Sequence, residues 1–141
     1  MMEFTLNLYP NQKGILFADQ IMSAFMRLYN LPYNRELCFV LHELIINAVE
    51  AMKLAEKSKT EKIQIHVEKE MEEIQMTVID TAGGIPQESW KAILLYNNIE
   101  STFSERGRGL FFVKNMVDQI WFDNLSETRF LVGVSKKLGC S

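Results

Sequence analysis

The stretch LHELIINAVEAM, residues 41–52, carries polar groups at helical spacing among apolar ones. Glu43 and Asn47 are four residues apart and Glu50 follows, so on a helix all three fall within roughly 60° of one another. A carboxylate in such a place can orient or deprotonate a nucleophile, and an amide oxygen can coordinate Mg2+. A solvated helix edge would explain a single Glu/Asn pair equally well, so the interpretation depends on other segments.

A second segment, TVIDTAGGIP, places Asp80 at the end of a predicted strand and before an Ala-Gly-Gly turn. A carboxylate there can accept a hydrogen bond from an exocyclic amino group, and glycines let a flat ring approach the backbone. Aspartate followed by glycines is also ordinary turn chemistry, which is the alternative.

A third segment, ERGRGLFFVKNMVD, puts Gly107 and Gly109 at the start of a predicted helix. Unpaired N–H groups at a helix N-terminus suit phosphate, and Arg106, Arg108 and Lys114 add positive charge nearby. Glycine at a helix end without any ligand is the alternative. The sequence contains no G-x-x-x-x-G-K-[ST], which excludes a P-loop, and no G-x-G-x-x-G follows a strand.

The elements that must position these residues follow from the apolar periodicity. The predicted order is β-α-α-β-β-(loop with a helix)-α-β-β, with strands at 3–9, 62–70, 73–80, 120–124 and 128–138 and helices at 15–28, about 34–57, 88–96 and 109–120. Hairpin-connected strands and helices on one side predict an α+β two-layer sandwich, with a mixed, mostly antiparallel sheet covered on one face by helices. The length predicts a single domain, residues 1–141.

Composition excludes several classes of protein. Apolar residues make up 48% and charged residues 23%, which is typical of a globular chain, and the net charge of −3 without a basic run argues against a nucleic-acid partner. No stretch predicts a membrane span or a signal peptide. Cys38 and Cys140 form no motif, so we expect reduced thiols in a cytoplasmic protein. His42 and His66 are far apart in sequence, and no zinc site is predicted.

The three segments together resemble the nucleotide-binding boxes of the GHKL ATPase superfamily, which includes gyrase, Hsp90, histidine kinases and MutL. The resemblance depends on Glu43-x-x-x-Asn47, Asp80-Thr-Ala-Gly-Gly84 and Gly107-Arg-Gly-Leu-Phe111, in that order, and covers nearly the whole chain. GRGLFF is similar to the G-R-G-L-F-L form of anti-sigma factor serine kinases. The resemblance implies the GHKL (Bergerat) fold with ATP and Mg2+ as cofactors.

The resemblance also implies roles for single residues. Glu43 matches the proposed general base, Asn47 the Mg2+ ligand, and Asp80 the aspartate that recognises the adenine amino group. The other nucleotide-binding positions that it implies are Ala82, Gly84, Ile85, Gly107, Arg108, Gly109, Leu110 and Thr128, and residues 87–106 match the ATP lid. Two residues depart from the pattern: Ala82 replaces the first glycine of its box, and Glu50 follows Asn47 where anti-sigma kinases often carry a basic residue or histidine.

The function implied is that of a Mg-ATP-binding regulatory protein, an anti-sigma factor serine/threonine kinase of a partner-switching system. Its expected partners are a small anti-anti-sigma-type protein, a sigma factor, or both, and such kinases are often homodimers. Two alternatives stay open: a non-catalytic ATP-binding switch, and a stand-alone ATPase domain of histidine kinase type. The second would need a phosphoacceptor histidine on a partner, because neither His42 nor His66 lies in a phosphoacceptor-like helix.

Overall fold

The computed structural model describes residues 1–84 and 105–139. Their elements, in chain order, are β1 (Met2–Leu8), α1 (Gln12–Leu28), α2 (Asn34–Leu54), β2 (Ile63–Glu70), β3 (Glu73–Asp80), α3 (Glu105–Lys114), β4 (Gln119–Asn124) and β5 (Phe130–Lys137). The helix predicted at 88–96, Ile85 and the greater part of the predicted lid lie outside the described residues.

The five strands form one sheet in the order β1-β2-β3-β5-β4. Every pair of neighbours is antiparallel, so the sheet expected to be mixed is antiparallel throughout the described residues. β2 and β3 pair as a hairpin from Glu70↔Glu73, and Met71 in its turn has a φ of 56°. The predicted α+β two-layer sandwich is confirmed.

The hydrophobic core lies between one face of the sheet and the helices. In β2 the side chains of Ile63, Ile65 and Val67 are buried, and the alternate positions between them are only partly buried. α2 contributes the longest buried stripe, as its helical period predicts: Leu37, Val40, Leu41, Leu44, Ile45, Ala48, Ala51 and Met52. Because α2 lies centrally against the sheet, it can carry side chains toward both α3 and the end of β3.

Several helix boundaries differ from the sequence prediction, among them the end of α2 at Leu54 instead of about residue 57 and the start of α3 at Glu105 instead of residue 109. α1 begins at Gln12, three residues early, because Asn11 caps it: the Asn11 Oδ1 accepts the Gly14 N–H at 2.9 Å. α3 ends at Lys114, whereas the prediction continued to residue 120. The N–H of Asp118 instead donates to the Ser135 carbonyl at 2.9 Å, which begins the pairing of β4 with β5.

Within residues 1–84 and 105–139, no helix combines the length and the apolar character needed to cross a membrane.

Candidate functional site

Helix α2 carries Glu43 and Asn47 at the border of its buried face. Asn47 is only 5% exposed, and its Nδ2 donates to the backbone carbonyl of Glu43 at 2.9 Å, which fixes the orientation of the amide. Within the described part of the chain no donor forms a hydrogen bond with the Asn47 Oδ1, so this oxygen is available to coordinate a cation. Glu43 is half-buried, whereas Glu50 is exposed to water.

His42, next to Glu43 in sequence, faces away from this site. Its Nδ1 lies 2.9 and 3.0 Å from the two carboxylate oxygens of Asp19 on α1. The pair joins the two helices on the opposite side of α2.

Glycine 109 on α3 lies directly against Glu43 and Asn47. A Cβ at this position would be 2.7 Å from the Asn47 Nδ2 and 2.9 Å from the Glu43 Oε2, closer than side-chain carbons approach polar atoms. Only a residue without a side chain fits here unstrained. The first and third sequence motifs therefore meet in space, and the backbone of α3 lines the acid–amide pair.

The turn after β3 is organised around Asp80, which is 1% exposed. One carboxylate oxygen of Asp80 accepts the Ala82 N–H at 3.0 Å. This bond holds the turn in a fixed shape. A buried carboxylate acceptor next to an open glycine turn is suited to recognising an amino group on a flat ring.

The backbone conformation of this turn requires its two glycines, and it accommodates an alanine at position 82. Gly83 and Gly84 have φ angles of 94° and 82°, and a Cβ on Gly84 would lie 2.6 Å from the Phe130 ring. Ala82 is not among the residues with positive φ, and its methyl group packs against the hydrophobic core. A side chain is therefore tolerated at the position where the family motif has its first glycine.

Two residues that sequence analysis did not identify attach this turn to α2. The Lys57 Nζ donates to the Thr81 carbonyl at 2.6 Å, and the Thr81 N–H and hydroxyl each lie 3.4 Å from the Met52 sulfur. Lys57 reaches Thr81 because α2 ends in a Schellman motif: Glu56 has a φ of 58°, and the Lys57 N–H bonds the Met52 carbonyl. The sequence predicts only that the helix ends near Lys57.

Thr128 lies beside the same turn, two residues before β5. Its carbonyl accepts the Gly83 N–H at 3.2 Å, while its side chain is exposed. Asp80 and Phe130 are register partners across β3 and β5, so the start of β5 borders the turn.

Gly107 and Gly109 do not both lie at the start of α3, contrary to the sequence prediction. The helix begins at Glu105, so Gly107 is its third residue and its N–H belongs to the first turn, whose donors lack intrahelical partners. Gly109 is the fifth residue, and it contributes by its missing side chain rather than by a free N–H.

Two further residues of α3, Leu110 and Lys114, pack against other side chains. Leu110 is fully buried in the core. Lys114, expected to add charge near a phosphate, lies in the last turn with its Nζ 5.3 Å from the centre of the Phe111 ring, and burial lowers the pKa of its ammonium group. Ile85 lies outside the described residues.

Comparison with known proteins agrees with this geometry. The sequence matches the family described as histidine kinase-, DNA gyrase B-, and HSP90-like ATPase over residues 33–137. The fold is similar to that of a solved structure of the SiaB–SiaC complex from Pseudomonas aeruginosa, with a TM-score of 0.74 at 10% sequence identity, covering 94% of this chain and 88% of that one. No curated protein matches the sequence.

The matched segment contains the acid–amide pair on α2, the turn after β3 and the glycine helix α3. The domain of this family is an ATPase domain, which implies ATP binding. The chain belongs to the histidine kinase-, DNA gyrase B- and HSP90-like (GHKL) ATPase family.

Proposed function

We propose that this chain is a Mg-ATP-binding regulatory protein with serine/threonine protein kinase activity, of the kind that inhibits a sigma factor in a cytoplasmic partner-switching system. The observation that carries the proposal is the contact of Gly109 with Glu43 and Asn47. This contact brings helix α3, whose first turn has N–H groups without intrahelical partners, next to a candidate base and a candidate metal ligand.

The proposed roles follow from the chemistry of each group. The Asn47 Oδ1 would hold Mg2+, since its Nδ2 is already engaged by the Glu43 carbonyl. Mg2+ held there would supply positive charge to offset the negative charge of the phosphates. The half-buried carboxylate of Glu43 would accept the proton of a substrate hydroxyl. The hydroxyl oxygen bonds to the γ-phosphorus, the bond to the β–γ bridging oxygen breaks, and ADP leaves.

The adenine end of the proposed site is the turn after β3. The Asp80 carboxylate would accept a hydrogen bond from the adenine amino group, and the turn is open at Gly83, where a Cβ would meet nothing within 4 Å. Thr128 borders this turn and would close one side of it.

The position of Glu50 is compatible with nucleotide binding, which the kinase and the passive switch both require. An acid directed at the phosphates would oppose nucleotide binding, but Glu50 is exposed to water. The similar SiaB–SiaC structure is a complex of two proteins, which supports the search for a protein partner. We propose a small anti-anti-sigma-type protein as substrate, a sigma factor as second partner, and a homodimer as the working form.

The test combines calorimetry with phosphoryl transfer. We expect Mg-ATP to bind the wild-type protein with a micromolar Kd, which is a binding free energy of about −8 kcal/mol. The Asn47→Ala variant should bind Mg-ATP weakly. Labelled ATP should then transfer its γ-phosphate to a serine or threonine of candidate partners encoded beside this chain. An absence of heat at millimolar nucleotide would refute ATP binding by this site. Firm binding without transfer to any candidate would instead favour the non-catalytic switch.

A further inference from the structure

A second group of ligand-type side chains lies on β1 and β2, on strands that do not carry the nucleotide motifs. Glu3, His66 and Glu68 each offer one ligand atom, and the three atoms lie within 4.8 Å of one another. The His66 Nε2 is 3.9 Å from Glu68 and 3.9 Å from Glu3. The residues belong to the strand positions that alternate with the core residues Ile65 and Val67.

The register of the sheet makes this arrangement costly without a cation. Glu3 and Glu68 are direct partners across β1 and β2, and like charges in such a pair repel. On the other side, β3 offers only neutral partners, Thr77 to His66 and Gln75 to Glu68. In the part of the chain that the structure describes, no lysine or arginine forms an ion pair with either glutamate.

The imidazole is already oriented for ligation through Nε2. The Thr5 hydroxyl and the His66 Nδ1 share a hydrogen bond of 2.6 Å, and these residues are also register partners. In the tautomer that donates from Nδ1 to the Thr5 hydroxyl, the Nε2 lone pair faces both carboxylates. An outer hydrogen bond of this kind commonly fixes the tautomer and the ring orientation of metal-binding histidines.

We propose that Glu3, His66 and Glu68 form a site for a divalent transition-metal cation such as Zn2+. A triangle with two sides of 3.9 Å and a third of at most 4.8 Å has its centre about 2.5 Å from each corner. Zinc bonds to imidazole nitrogen and carboxylate oxygen are about 2.0–2.2 Å, so small side-chain rotations complete the site. Water takes the fourth position. Sequence spacing gave no sign of it, because strand pairing brings Glu3 to a histidine 63 positions later.

The test is a titration of the nucleotide-free protein with zinc, followed by calorimetry and by the 15N signals of the histidine side chains. The imidazole signals separate this site from the nucleotide site, whose proposed ligands include no histidine. We expect one equivalent of zinc to shift the His66 Nε2 signal. His66→Gln and Glu68→Gln should each weaken binding more than tenfold, and Thr5→Val, which removes only the outer hydrogen bond, roughly tenfold.

His42→Gln is the matched control, because His42 also contacts a carboxylate, but only one, that of Asp19. It should bind zinc like the wild type. An unshifted His66 Nε2 signal would overturn the proposal, as would wild-type affinity in both ligand variants or saturation only at millimolar zinc.

Discussion

Substitution of Gly109 by alanine tests the central contact of the site. The new Cβ would lie 2.7 Å from the Asn47 Nδ2, and ordinary contact begins near 3.4 Å, so the amide must move by about 0.7 Å. That movement breaks the 2.9 Å bond from Nδ2 to the Glu43 carbonyl and displaces Oδ1 from its position. The Glu43 carboxylate, 2.9 Å from the same Cβ, must move as well.

The expected magnitudes separate function from stability. Alanine improves helix propensity by about 1 kcal/mol over glycine, while overpacking costs about 1–3 kcal/mol, so the net loss of stability is small. Phosphoryl transfer depends on geometry, and a displacement near 1 Å can reduce the rate about 100-fold. We therefore expect strongly reduced transfer and weaker Mg-ATP binding, with a Tm change of only a few degrees.

The assay pairs calorimetry and transfer rate with thermal unfolding, and Gly133→Ala serves as the control. A Cβ at Gly133 would lie 2.3 Å from the Trp121 ring, so the same substitution overpacks a place remote from Glu43 and Asn47. This control should lose stability and keep Mg-ATP affinity. If Gly109→Ala binds Mg-ATP and transfers phosphate like the wild type, the close contact between α3 and α2 has no role in the site.

Four other outcomes follow from the same structure. Asp80→Asn should weaken ATP binding by roughly 1–3 kcal/mol and reduce the preference of the protein for ATP over GTP, because an amide puts a donor where adenine needs an acceptor. Unchanged selectivity in competition binding would exclude Asp80 as the adenine contact. Glu43→Gln should keep ATP binding but slow transfer about 100-fold in a single-turnover assay, and a wild-type rate would make Glu43 a helix-edge residue. Lys57→Met should lower ATP affinity about fivefold, which corresponds to the loss of one hydrogen bond of about 1 kcal/mol. Lys53→Met, at an exposed position, should leave ATP affinity unchanged. Equal ATP affinities of the two variants would contradict the proposed support of the turn by Lys57. Burial, with Asp19 adding to it, raises the pKa of the Cys38 thiol, so less thiolate exists at pH 8 and alkylation followed by peptide mass spectrometry should be slower than for a free cysteine and accelerate as pH rises.

The helices and strands were predictable from sequence because each buries one face. The alternation in β2 and β3 and the long apolar stripe of α2 are local signals, and they predicted both the elements and the sandwich. α3 was predicted too long because Met116, Val117 and Ile120 continue a helical spacing. These residues do pack against the core, but from a turn and a strand, since pairing with β5 is stronger than the local helical preference.

The motifs of the candidate site are visible in the sequence, whereas the residues that support them are not. Asp80, Asn47 and Gly109 stand out by type and spacing, and the structure brings the second and third together. Lys57 and Thr81 are 24 residues apart, and no spacing rule connects the end of a helix with a turn after two strands. The close packing of Gly109 against Glu43 and Asn47 could not be predicted either, because it depends on how closely α3 approaches α2.

Helix α2 explains how a site built from three distant segments can be specific. Asn47 faces α3, while Met52, five residues later, contacts Thr81 in the turn that follows Asp80. Five residues advance about 7.5 Å along a helix axis. The phosphate end and the adenine end of the proposed nucleotide site are therefore held apart at a fixed distance by one helix. Lys57, just past the end of that helix, also bonds the turn. Since the glycine turn is attached to α2 through Met52 and Lys57 and to the start of β5 through Thr128, its shape is set before any ligand arrives. The proposed selectivity for adenine would follow from that preorganisation, because a different base would have to deform a turn that is bonded on both sides.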